Sequence, residues 1–231
     1  MASEAHPVEV VKVLEDVALL GPYFEIVTGA GEVAGAAWRP FPEPDGRLPA
    51  MAEEYGERLG TGERRVAASI LFQGLASRLW SPVVAAAGRG IVPDLSGLRW
   101  RWAPGEAIAL GLGEPRGWRV EDAVEAADLV HPMVVDGRLR PLSEAMPTFV
   151  GLADGLLWGN AASALAGSLN VGPPGGVRAA IVRELLAREP LAGAGSFGRD
   201  GFVRHNCCLY YRVPGGGMCG DCGLRDTRPD I

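Results

Sequence analysis

Glu63-Arg64-Arg65-Val66-Ala67-Ala68-Ser69-Ile70-Leu71-Phe72-Gln73-Gly74-Leu75-Ala76-Ser77-Arg78-Leu79-Trp80-Ser81-Pro82 reads as one long helix. Val66, Ile70, Leu71, Leu75 and Leu79 recur at three- and four-residue spacing and form a broad apolar stripe, with Arg64, Arg65 and Arg78 outside it or at its edge. Ser81-Pro82 predicts a kink or an end, with residues 83–87 continuing the run.

Working outward, residues 7–20 predict a first helix through Val10, Val13, Leu14, Val17 and Leu20, stopped by Gly21-Pro22. Residues 23–27 fit a short strand, and residues 34–49, with four prolines and Asp45-Gly46, fit a surface loop. On the carboxyl side, Leu98, Trp100 and Trp102 alternate with Arg99 and Arg101. Ala103-Pro104-Gly105 then turns the chain and Ile108, Leu110 and Leu112 alternate on the return, which predicts a hairpin. Helices are expected over 120–130, 143–169 and 176–188, a turn at Asp136-Gly137, and a glycine-rich loop over 193–201. The fold class that results is α+β: a mainly helical body (1–198) with a small β-hairpin or sheet, followed by a cysteine-bearing carboxyl-terminal segment (199–231).

A chain of 231 residues, 48% hydrophobic and 22% charged, can bury a full core without disulfides. Its net charge of −6 argues against nucleic acid or an anionic membrane surface as main partner. The start lacks a basic stretch followed by an apolar one, so a cytoplasmic protein is expected. Between Glu144 and Arg178 the only charge is Asp154. Glycines, asparagines and prolines interrupt that span, however, so a buried helix is expected there and no membrane span.

All four cysteines fall between Cys207 and Cys222, which makes them a site and not a disulfide framework. The segment reads Arg204-His205-Asn206-Cys207-Cys208-Leu209-Tyr210-Tyr211-Arg212-Val213-Pro214-Gly215-Gly216-Gly217-Met218-Cys219-Gly220-Asp221-Cys222-Gly223. Cys219 and Cys222 enclose a two-residue turn of the metal-binding kind, and Gly220 and Gly223 let the backbone wrap around it. Pro214 and three glycines can return the chain to Cys207 and Cys208. Three occupants compete. Zinc prefers chelating pairs separated by two to four residues, which adjacent cysteines do not supply. A vicinal Cys207–Cys208 disulfide is strained, and a Cys219–Cys222 redox pair lacks its usual strand–helix setting. Two close pairs of thiolates match the stoichiometry of a two-iron cluster.

With Cys-Cys, ten residues, Cys, two residues, Cys, and Tyr210-Tyr211 inside, the segment resembles the carboxyl-terminal 2Fe-2S motif of ferric-siderophore reductases of the FhuF type. Leu157-Trp158-Gly159-Asn160 and Arg78-Leu79-Trp80-Ser81-Pro82 are loosely similar to the body of that family. The resemblance implies that Cys207, Cys208, Cys219 and Cys222 ligate a 2Fe-2S cluster. It also implies an oxidoreductase that passes an electron to siderophore-bound iron(III), of hydroxamate type, and releases iron(II). With no flavin or nicotinamide signature, a separate donor such as a ferredoxin or flavin reductase is expected. A zinc-stabilised module that binds a siderophore or a protein, and a 2Fe-2S electron carrier or sensor, are the competing functional classes.

Residues 199–231 carry net +1 against −7 for residues 1–198, so Arg204, His205 and Arg212 are candidates to offset cluster charge or contact an anionic partner. Trp158 and Asn160, on one expected helix, are candidates to line a substrate cleft. Gly193-Ala194-Gly195-Ser196-Phe197-Gly198 matches the spacing of a dinucleotide fingerprint, but a helix is expected before it and no helix after it. His131, before Pro132 in an apolar stretch, reads as structural.

Overall fold

The computed structural model describes residues 2–43, 46–172, 175–199 and 201–224. From the amino terminus the chain runs β1 (Ser3–Glu4), α1 (Pro7–Ala18), β2 (Val27–Thr28), β3 (Arg39–Pro40), α2 (Arg47–Leu59), α3 (Arg64–Ala87), β4 (Ile91–Pro93), β5 (Arg99–Arg101), β6 (Ala109–Leu112), β7 (Gly117–Arg119) and α4 (Ala123–His131). A π-helical stretch, Pro132–Leu139, leads into α5 (Arg140–Ala145), then α6 (Asp154–Gly167), α7 (Gly176–Leu186), β8 (Gly195–Gly198) and β9 (Gly201–Arg204). The class is α+β, mainly helical, as expected.

α3 is the axis of the molecule. The stripe Val66, Leu71, Leu75 and Leu79 is buried, and so are Ala67, Ala68, Phe72, Ala76 and Trp80 on its other faces. A helix apolar almost all round needs neighbours on every side. α1, α2 and α6 supply them, α6 most extensively. Each fully buried leucine or phenylalanine contributes about 1.5–3 kcal/mol of transfer free energy. Pro82 lies inside α3 without ending it. By length and hydropathy α3 could cross a membrane, but 72% of its apolar window is buried within the protein. The 144–178 span instead breaks into short pieces, of which α6 has 14 residues.

The expected hairpin is present, with Trp100 opposite Leu110. It is the centre of a larger sheet ordered β2-β6-β5-β3, in which β2 joins parallel to β6. A second sheet, β1-β7-β4, follows the carboxyl end of α3. The cysteine segment meets the opposite half of that helix, so the sheet and the cysteines are separated by about 25 Å of helix at 1.5 Å per residue.

Several expectations are corrected. The strand expected over 23–27 is reduced to Val27–Thr28. The loop expected over 34–49 ends at Gly46, whose left-handed backbone (φ 69°) opens α2, with Pro49 tolerated in the first turn. Asp45 lies outside the described residues. Asp136-Gly137 makes no turn: the π-helical stretch carries the chain straight through, because Val134, Val135 and Leu139 are all fully buried beneath it. The helix expected over 143–169 is broken between Thr148 and Asp154, where Pro147 and Gly151 fall. The glycine-rich loop expected over 193–201 is the β8–β9 hairpin, with Phe197 opposite Phe202. A strand therefore follows the first glycines where a dinucleotide site needs a helix.

Candidate metal centre

The β8–β9 hairpin delivers the cysteines. Phe197 and Phe202 pack edge to face, with centroids 5.5 Å apart. Gly195 gives Phe202 room, since a Cβ there would strike its ring and the carbonyl of Val203. His205 N–H donates to Ala194 C=O (2.9 Å), and Arg204 N–H donates to Asp221 C=O (3.0 Å). The chain from His205 to Asp221 is therefore a loop pinched at its neck. Gly223 sits so close to the carbonyl of Arg204 that no Cβ fits, whereas Gly220 faces open space. Of the two glycines expected to let the chain wrap, Gly223 is the one that packing requires.

Cys208 and Cys222 are buried, and Cys207 and Cys219 are half-buried. The sulfurs of Cys208 and Cys219 lie 3.5 Å apart. Two thiolates on one tetrahedral metal, with metal–sulfur bonds of about 2.3 Å, stand about 3.7 Å apart. Leu209 is the only non-glycine residue with positive φ (68°) among the described residues. That backbone turns its N–H onto Cys207 Sγ (3.4 Å), and the next N–H, of Tyr210, serves Cys208. Consecutive amides facing anionic sulfur form a nest that favours thiolates. The hydrogen bond with Cys219 and, despite burial, the Arg204 charge push the Cys208 thiol below its ordinary value, while the same shared proton and burial push Cys219 up. Burial pushes Cys207 up.

Behind the cysteines runs a buried polar chain. Ser69 Oγ on α3 donates to the carbonyl of Cys208 (2.7 Å). Asn160 Nδ2 on α6 donates to Ser69 O and Oγ (both 2.9 Å). Arg204 Nη1 donates to Asn160 Oδ1 (2.6 Å), and its Nε donates to Asp221 Oδ2 (2.9 Å). Burial raises the Asp221 carboxyl, but the Arg204 charge and hydrogen bonds from Ser163, Arg204 and Cys219 outweigh it and hold the acid below its ordinary value. Arg204 is 1% exposed, yet its Nη2 has no hydrogen-bond partner among the described residues. A buried guanidinium nitrogen is normally satisfied, so this one lacks an anionic acceptor, which a thiolate or inorganic sulfide supplies.

One close sulfur pair, Cys208 and Cys219, amides aimed at the sulfurs of Cys207 and Cys208, and one unspent donor on a cation are features that a cluster of anionic sulfurs would use. Among the described residues, no three or more metal-ligating groups are gathered into one cluster, so the Cys208–Cys219 pair is the part of the centre whose sulfurs are in contact.

The other sequence candidates divide. Arg204 belongs to the centre. His205 is exposed, its Nδ1 bonded to the carbonyl of Gly193 (2.8 Å). Arg212 pairs with Glu63 (2.7 Å), tying the loop to the start of α3 and not facing the sulfurs. Trp158 and Asn160, expected at a substrate cleft, are 5% and 0% exposed. Trp158 is a core residue under Arg140, and Asn160 is the joint between Ser69 and Arg204, so both are buried side chains with partners inside the protein. His131 bonds the carbonyl of Glu189 (2.9 Å), a structural role. Tyr211 is half-exposed.

Sequence reasoning missed Ser69, Ser163, Asp221 and Asn206. Asn206 lies over Gly155 and Gly159 of α6, where a Cβ would approach it to 3.5 and 3.2 Å. A cavity of about 280 Å³ reaches Cys208 and Cys219, lined also by Tyr23, Tyr55, Gln73 and Tyr210.

Residues 204–223 match the family model of the FhuF 2Fe-2S C-terminal domain. The match covers the cysteine segment and not the helical body. No curated protein matches the chain. The segment is a FhuF-type cysteine motif, and the cofactor it implies is a 2Fe-2S cluster.

Proposed function

We propose that the protein is a ferric-siderophore reductase whose cluster is ligated by Cys207, Cys208, Cys219 and Cys222. The observation that carries this reading is the matched cysteine segment with the Cys208 and Cys219 sulfurs lining a cavity. A bound 2Fe-2S cluster supplies electrons one at a time. Siderophore-bound iron(III) takes up one electron and becomes iron(II), which hard oxygen ligands hold far less tightly. No proton transfer is needed. Arg204 places a positive charge beside the thiolates, and the amides of Leu209 and Tyr210 help to hold them.

Hydroxamate-bound iron is the favoured substrate. A ferric tris-hydroxamate is uncharged, and the cavity beside the cysteines is lined by the neutral side chains Tyr23, Tyr55, Gln73, Ser77 and Tyr210. A triply anionic catecholate complex would meet a chain of net charge −6. A separate ferredoxin or flavin reductase serves as donor. The cytoplasm, where thiols stay reduced, is the compartment in this reading.

The test is anaerobic. Protein reconstituted with iron and sulfide is reduced, then mixed with ferric hydroxamate and an iron(II)-specific chelator. Reoxidation of the visible spectrum together with formation of the iron(II) chelate is expected. A reduced spectrum that persists with every siderophore class would replace the reductase with an electron carrier. Colourless protein containing zinc and no acid-labile sulfide would remove both.

A further inference from the structure

The 280 Å³ cavity beside the cysteines is not isolated. Tyr23, Gln73 and Ser77 line it and also line a larger cavity of about 530 Å³. The two are lobes of one groove. Its floor is a single stripe of α3, on which Gln73, Ser77 and Ser81 recur every fourth residue, the spacing of one helical face. Ser77 Oγ donates to the carbonyl of Gln73 (2.9 Å), and both side chains also line the groove.

The walls are fixed. Arg78 stacks over Tyr23 (4.9 Å) and donates to the carbonyl of Pro22 (3.2 Å), holding the turn after α1 against the groove. Gly74 leaves room for Tyr55, whose hydroxyl would lie 3.3 Å from a Cβ at that position. Opposite, Gln73 Nε2 donates to Ser163 Oγ (3.3 Å). Ser163 bonds Asp221, the only charged side chain on the groove among the described residues, and Arg204 already neutralises it. Joined, the lobes reach the size of small-molecule sites, roughly 300–1,000 Å³.

We propose that this groove binds the ferric siderophore. The chelated iron sits in the smaller lobe against Cys208 and Cys219, and the organic backbone extends past Gln73 and Ser77 into the larger lobe. This assignment rests on the reading of the protein as a siderophore reductase. It also gives Gln73 and Ser77 a role, as hydrogen-bonding partners of the ligand's amide and hydroxamate oxygens.

Gallium(III) tris-hydroxamate has the charge and shape of the ferric complex and cannot be reduced, so it measures binding without turnover. Titration into the cluster-loaded protein, followed by calorimetry, should show one site. Gln73→Leu should weaken it about tenfold, the worth of one hydrogen bond. Ser77→Trp should fill the junction of the lobes and abolish binding. Both variants should keep the wild-type visible spectrum. Ser96→Trp, in a separate cavity beside Asp94, Arg99 and Arg116, should bind as wild type. If the wild type binds gallium complex while Gln73→Leu and Ser77→Trp bind it equally well, the groove assignment falls and the reductase stands. If the wild type reduces ferric hydroxamate yet shows no binding, the groove assignment likewise falls. Neither binding nor reduction would overturn both.

Discussion

Arg204 Nη1 lies 2.6 Å from Asn160 Oδ1, a contact between residues 44 positions apart in which both partners are out of solvent. It joins the cysteine segment to the centre of α6, and through Asn160 to Ser69 on α3. Asn160→Leu leaves a buried cation short of an acceptor. A loss of about 2–3 kcal/mol in unfolding free energy is expected, together with faster loss of the visible chromophore. Chemical denaturation of the cluster-loaded variant measures the first and absorbance decay the second.

Cys219→Ser removes one sulfur of the 3.5 Å pair with Cys208. No stable cluster should form, and iron and sulfide analysis after anaerobic reconstitution should give far less than two of each per chain. A wild-type spectrum would remove Cys219 from the ligand set.

Leu209 sits in the left-handed region directly after Cys208. A β-branched residue is the least able to follow it there, and the left-handed backbone costs about 1–2 kcal/mol even in the ordinary case. Leu209→Val should therefore lower cluster retention, whereas Leu209→Asn, which tolerates that backbone, should retain the spectrum. Thermal bleaching of the chromophore in the two variants checks the order.

Gly223→Ala must displace the carbonyl of Arg204, while Gly220→Ala meets nothing. The first should loosen the neck of the loop and release iron. The second should stay within about 0.5 kcal/mol of the wild type. Iron content after gel filtration distinguishes them.

Arg204 and Asp221 bring opposite charges to the cysteines. A nearby positive charge favours the more negative, reduced state. Arg204→Met should lower the midpoint potential, and Asp221→Asn should raise it. Potentiometric titration reads both, and shifts of the same sign would mean that the charges act only by holding the loop together.

The cysteine chemistry was legible because ligand spacing is local: two pairs and a flexible return are visible in twenty residues. The Trp100–Leu110 hairpin and α3 were legible for the same reason, each from one clear period. α2 was hidden by the prolines that precede or enter it. The π-helical stretch was hidden by Asp136-Gly137, where burial of Val134, Val135 and Leu139 overrides a turn-forming pair. The polar chain could not be read at all, since Ser69 meets Cys208 across 139 positions and Asn160 across 91. One signal was available: Ser69, Gln73, Ser77 and Ser81 repeat every four residues on an apolar helix. A polar stripe of that kind marks either a partner in the core or a cleft, and here it marks both.

The doubled link between Arg204 and Asp221, main chain to main chain and side chain to side chain, bears on how electrons travel. In the proposed reductase, a carrier fastened at its neck to two core helices would not swing between donor and acceptor as tethered redox arms do. Each partner of that proposed reaction would then have to come to a stationary relay, and throughput would be governed by the order and overlap of those visits.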